Sequence, residues 1–250
     1  MSARATPASR KRNAPRGRFA DAGSESPAAL RRRVVAIADA LEAEYGRPRR
    51  HHGDPLDALV GTILSQNTSD VNSSLAFSRL KQRFRSWDEV ADADVRSIEA
   101  AIRPGGLGHV KAPRIKRILR RIRQERGKLS LDFLARMSDD DARDHLLTLD
   151  GVGLKTAYVV LLFALDRKVF PVDTHVLRVS KRLEFIGPKT TADQAHALLP
   201  ELIPPDRRHA LHLNLVAHGR LVCKAQRPLC DRCVLNHADL CPYPWRHGLR

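Results

Sequence analysis

A chain of 250 residues is long enough to bury a core of its own, as one domain or as two intimate lobes. Lys and Arg number 44 against 28 Asp and Glu, and the net charge of +16 favours a polyanionic partner, nucleic acid ahead of a membrane surface, although an Arg-rich proteome would leave the same mark. No apolar run approaches the ~20 residues that a membrane span requires, and the amino terminus has no apolar signal core.

Residues 1–29 open the chain with Arg4, Arg10, Lys11, Arg12, Arg16 and Arg18 ahead of the first acid, Asp21. Such a segment has too little apolar area to offset its ordering entropy, so it reads as a disordered basic arm able to touch phosphate, or else as an Arg-rich transit peptide. From Leu30 the pattern turns helical through Val34, Ile37, Ala38 and Leu41, ending at Gly46. A largely apolar helix over 56–64 runs into Ser65-Gln66-Asn67-Thr68-Ser69-Asp70, and another follows through Val71, Leu75, Phe77 and Leu80. Residues 87–102 make one or two short helices before the break at Pro104-Gly105-Gly106-Leu107-Gly108.

Over 114–128 Ile115, Ile118, Leu119 and Ile122 form one stripe, and basic residues fill much of the rest. That is a nucleic-acid face or a solvated surface around an ordinary core stripe. Ser138 caps the acidic first turn Asp139-Asp140-Asp141. No strand alternation appears, so the predicted fold class is all-α. The cysteines crowd into Cys223-x6-Cys230-x2-Cys233-x7-Cys241, which favours one metal centre in a reducing compartment over scattered disulfides. From chemistry alone it suits Zn²⁺ or a [4Fe–4S] cluster.

The most specific stretch is Leu149-Asp150-Gly151-Val152-Gly153-Leu154-Lys155-Thr156-Ala157, followed by Val172-Asp173-Thr174-His175. Helices on both sides of Gly151-Val152-Gly153 make a helix-hairpin-helix, whose free N–H groups at the second helix suit a DNA phosphate; a plain turn between helices is the simpler reading. Lys155 falls in the first turn of that second helix. The dipole there opposes an ammonium, and partial burial adds to this, so the amine is poised to attack an electrophilic carbon; the simpler reading is a surface lysine on phosphate. Asp173 caps the next helix and offers a carboxylate for proton transfer or charge stabilisation. His175 reads as a packing residue.

These motifs, with the cysteine loop, resemble the endonuclease III family of the helix-hairpin-helix DNA glycosylase superfamily over about residues 30 to 245. The resemblance implies a six-helix barrel over 48–167, and a second lobe of 30–47 and 168–250 carrying the iron–sulfur cluster, with a DNA cleft between them. It makes Lys155 the nucleophile, Asp173 its partner, and Cys223, Cys230, Cys233 and Cys241 the ligands of a [4Fe–4S] cluster. Gln66 or Asn67, with Leu107, would fill the gap left by a flipped base. Gly151, Val152, Gly153, Lys111 and Arg178 complete the expected DNA contacts, and Lys224 and Arg227 add phosphate contacts.

The implied activity is a bifunctional DNA glycosylase with β-elimination lyase activity, acting as a monomer on duplex DNA with damaged bases, oxidised pyrimidines above all, or abasic sites. No membrane partner is implied. The implied compartment is the cytoplasm, on a bacterial nucleoid, with organellar or nuclear targeting left open. Three departures stand out: the glutamine is shifted one place in the 65–70 loop, Gly108 replaces a tyrosine found in some relatives, and the last cysteine gap is longer than usual. A monofunctional adenine-DNA glycosylase would lack the lysine. A non-catalytic helix-hairpin-helix module or an electron carrier would give no reason for Lys155, Asp173 and the cysteines to occur together.

Overall fold

The computed structural model describes residues 25–50 and 53–249, and every regular element among them is helical. Most of the expected arm, residues 1–24, lies outside the described residues. Its last residues do not belong to an arm: α1 (Pro27–Tyr45) starts there, because the Ser26 hydroxyl accepts from the Ala29 N–H at 3.2 Å and Pro27 supplies a preset first turn. The helix stops at Gly46, whose φ of +82° suits a residue without Cβ.

Two hydrophobic cores follow. The first gathers α2 (Pro55–Ser65), α3 (Asp70–Arg83), α4 (Trp87–Asp92), α5 (Val95–Ile102), α6 (Gly108–Arg126), α7 (Asp139–Leu147) and α8 (Leu154–Phe163) around residues such as Leu59, Ile98, Ile115 and Leu161. The second packs α1 against α9 (Thr174–Arg182), α10 (Ala192–Leu202) and α11 (Arg208–Leu221) through Val34, Leu41, Val176 and Leu215. The chain passes between them at the extended segment 169–173, where Val169 belongs to the first core and Phe170 to the second. Of two short helices, α12 (Val234–His237) lies within the cysteine loop and α13 (Tyr243–Arg246) follows it. Among the described residues no helix is long and apolar enough to cross a membrane.

Helix α6 begins six residues before the expected 114 and runs through Pro113. The Leu107 carbonyl accepts from the N–H groups of Val110 and Lys111, closing the first turn ahead of the proline, which then forfeits a single bond near the helix start. Its basic face is neither free nor merely solvated. Arg120 and Lys116 donate to the carbonyls of Ala91 and Ala93, Arg123 pairs with Asp92 at 2.6 Å, and Arg121 donates to the Thr148 carbonyl. Most of this charge is spent on fastening neighbouring turns.

Candidate active site

The hairpin is built on that fastening. The Val152 N–H closes the turn on the Leu149 carbonyl at 3.1 Å, and Val152 itself is buried. Gly151 has a φ of +69°, and a Cβ there would lie 2.3 Å from Arg114 Nε, so the Arg114 side chain lies where only glycine leaves room. Gln66 joins the assembly: its Nε2 donates to the Gly151 carbonyl at 3.4 Å, and Arg114 donates to its Oε1 at 3.2 Å. Arg117 holds Asp150 at 3.1 Å through Nε. Gly153 caps α8 without a side chain, leaving the first N–H groups of that helix no capping partner.

Lys155 is the second residue of α8 and is half-buried in an open cleft between the two cores. Gln66, Asn67, Asp173, His175, His212 and Arg220 line the same cleft. Burial lowers the Lys155 pKa below the ordinary lysine range; Asp173 and Asp70 pull it up, and Arg220 pushes it down. The net direction is toward a free amine. Asp173 accepts the Val176 N–H on Oδ1 at 2.7 Å, so its capping role occupies one oxygen and leaves the other for chemistry.

An ion pair between Asp70 of α3 and Arg220 of α11, 2.9 Å between Nη2 and Oδ1, spans the cleft from one core to the other. Sequence reading offers no signal for it, because 150 residues separate the partners. His175 is half-buried with Nδ1 3.0 Å from Arg178 Nη2. Arg178 is turned inward as well, donating to the carbonyls of Gly219 and Cys223 at 2.8 and 3.1 Å.

Leu107 stands apart from the cleft lining, at the head of α6, 43% exposed and left-handed at a φ of +51°. At Gly108, beside it, a Cβ would press on the Glu99 side chain at 2.9 Å. Lys224 and Arg227 are exposed.

Lys111 corrects an expectation. It is 2% exposed, and its ammonium donates to the carbonyls of Leu64 and Gly105 at 2.7 and 2.8 Å, tying the end of α2 to the loop before Leu107. A buried side chain bound to two carbonyls cannot also meet phosphate. Lys111→Met is expected to lower unfolding stability by about 2–4 kcal/mol, since it strands two buried acceptors. It should leave the salt dependence of DNA binding unchanged. Urea unfolding and a salt titration check this, and unchanged stability with a shallower salt slope would restore the phosphate role.

The cysteine loop forms a second centre. All four thiols are free, and they line one pocket whose remaining walls are largely apolar. Among the described residues no three His, Cys, Asp or Glu side chains converge on a single ion. A tetrahedral Zn²⁺ would draw its sulfurs within about 2.3 Å of one point, so a cavity ringed by cysteines suits a larger group such as an iron–sulfur cluster. Burial raises the pKa values of the Cys230, Cys233 and Cys241 thiols, that of Cys241 to about 12, and neighbouring thiolates add to the rise, a burden that bound iron would relieve. Arg182 reaches Cys223 Sγ at 3.3 Å.

Comparison with known proteins agrees with this geometry. Residues 60–205 match the model of the HhH-GPD superfamily of base excision DNA repair proteins, and residues 223–241 match the iron–sulfur binding domain of endonuclease III. An Arabidopsis thaliana protein with a DNA-glycosylase name is 40% identical over 73% of this chain, which spans 60% of that protein's length. Endonuclease III of Sulfolobus acidocaldarius is 36% identical over 74% of this chain and 80% of its own. A solved non-covalent endonuclease III–DNA complex superposes with a TM-score of 0.74 at 28% identity, covering 88% of this chain and 99% of the other; a trapped covalent intermediate of endonuclease III on DNA gives the same score and identity over 87% and 98%. With the hairpin, the cleft and the cysteine cavity in one all-helical molecule, the chain belongs to the HhH-GPD superfamily as an endonuclease III-type, iron–sulfur DNA glycosylase of base excision repair.

Proposed function

We propose that this glycosylase is bifunctional: it removes damaged bases, oxidised pyrimidines foremost, from duplex DNA and then cuts the strand by β-elimination. The observation that carries the reading is the shared cleft of Lys155 and Asp173, with burial driving the lysine toward its free amine. A monofunctional glycosylase needs only an activated water and has no use for a desolvated lysine there. The trapped covalent intermediate of a structural neighbour supports the same choice.

The Lys155 amine attacks C1′ of the flipped nucleotide, the bond from C1′ to the base breaks, and Asp173 stabilises the developing cation and moves the proton. The sugar ring then opens as the C1′–O4′ bond breaks and O4′ takes a proton, leaving a Schiff base between C1′ and Lys155; this acidifies the C2′ protons, and loss of one expels the 3′ phosphate and cuts the strand. Gly151, Val152 and Gly153 present backbone N–H groups to phosphate, which positions the duplex without reading its sequence. Gln66 or Asn67, with Leu107, fills the space vacated by the flipped nucleotide, whose extrusion costs a few kcal/mol (about 2–4). Cys223, Cys230, Cys233 and Cys241 would hold a [4Fe–4S] cluster that cross-links the loop after α11. In this reading the two cores are separate lobes, 48–167 and 30–47 with 168–250.

Borohydride reduction on a duplex carrying one oxidised pyrimidine tests the proposal. A covalent protein–DNA adduct is expected, with strand scission in its absence; base release without adduct or scission would make the enzyme monofunctional.

A further inference from the structure

The segment that delivers Asp173 is suspended between two buried histidines. His196 of α10 receives the Val172 N–H on Nε2 at 3.0 Å, which places its proton on Nδ1, where it donates to the Ala192 carbonyl at 2.8 Å. His212 of α11 donates from Nδ1 to the Pro171 carbonyl at 3.0 Å. The peptide between Pro171 and Val172 is thus held by its carbonyl on one ring and its N–H on the other, one residue before Asp173. Because Pro171 has no N–H, His212 can hold it only through the carbonyl.

The same rings pack on the helix that carries Lys155. Tyr158 of α8 lies 5.2 Å from His196, and Phe163 of α8 meets His212 edge-on at 5.6 Å. Phe170 closes on the far side of His212 at 6.0 Å. Both histidines are 4–5% exposed, and burial lowers both pKa values, that of His212 to about 4, so both stay neutral. Neutrality matters at His196, since a second ring proton would confront the Val172 N–H.

We propose that His196 and His212 are positioning residues that set the Asp173 carboxylate against the Lys155 amine, through the hydrogen bonds to the 171–172 peptide on one side and the ring packing on α8 on the other. This rests on the catalytic reading of Asp173. Nothing in the chemistry of base release requires a histidine at either place, and neither side chain stands in a recognisable motif. What they supply is distance: a displacement of about 1 Å between reacting groups can slow a reaction about 100-fold.

The experiment uses the full-length protein with its cluster and single-turnover cleavage of an abasic duplex, beside binding to a non-cleavable abasic analogue. His196→Leu and His212→Leu are expected to cleave about 10- to 100-fold more slowly while binding as before. His196→Gln, whose oxygen reaches the Nε2 position, and His212→Asn, whose amide replaces the Nδ1 donor, should recover most of the rate. In an Asp173→Asn background His196→Leu should add little, because both changes remove one function. A leucine variant at full rate, or a loss that multiplies with that of Asp173→Asn, overturns the proposal.

If the leucine variants fail to fold, His196→Gln against His196→Asn decides: the first should be fast and the second slow, and equal rates overturn it. Asp173→Asn alone separates the two levels of the argument. Full rate there sinks both readings, whereas a slow Asp173→Asn beside fast histidine variants sinks only this one.

Discussion

Lys155→Ala is expected to eliminate the borohydride adduct and to slow strand cleavage by at least about 10³-fold, while the thermal midpoint falls no lower than that of the natural chain. The two effects share a cause. An ammonium in the first turn of a helix opposes the dipole by about 0.3–1 kcal/mol, and Lys155 is also desolvated there. Alanine removes both penalties and is the best helix former. What it gives up is attraction to Asp173 and Asp70 across a cleft open to water. A position that weakens the fold yet holds the reactive group is the pattern of a site selected for chemistry. Mass spectrometry of the trapped product and a thermal melt check the pair of outcomes. An adduct that persists in Lys155→Ala would move the nucleophile elsewhere.

Asp173→Asn should cut the single-turnover rate by about 10²- to 10⁴-fold with the fold and DNA binding intact. Asparagine caps a helix about as well as aspartate, so the bond to the Val176 N–H survives. The substitution therefore isolates the charge. It has a second signature: Asp173 raises the Lys155 pKa, so its neutralisation lowers that pKa further. The pH at which the residual rate rises should move down, because more of the amine is free at a given pH. A lower plateau with an earlier rise separates a lost carboxylate from a lost nucleophile, which would lower the plateau without that shift. An unchanged rate would reduce Asp173 to a cap.

Local signals in the chain were legible. Ser138 and Asp173 cap the helices expected of them, Gly46 ends α1, and the hairpin glycines flank a buried valine as their spacing suggests. These features rest on neighbours within a few residues, and the helical periods that define the two cores are of the same kind. Long-range pairing was not legible. Lys111 looks like any basic residue near a glycine break, and only the approach of Leu64, 47 positions away, turns it inward. The helix expected from 114 starts six residues earlier, where the Leu107 carbonyl closes its first turn. His196 and His212 carry no motif, because what they grip is a backbone peptide 24 and 41 residues back in the chain. The charges of α6 were visible as a number but not as pairs.

Those pairs bear on how the enzyme holds DNA in salt. A guanidinium already paired with a carboxylate, as Arg117 is with Asp150, Arg121 with Glu125 and Arg123 with Asp92, has less left to exchange for the cations condensed on a duplex, so α6 contributes less to counterion release than its composition implies. In the binding mode proposed above, the hairpin it braces meets phosphate with backbone dipoles, which carry no net charge and displace few ions. Contact made this way persists as ionic strength rises, when attraction between bare charges has been screened away. The braced hairpin is thereby suited to keep its register on a duplex at salt concentrations where a merely basic surface would let go.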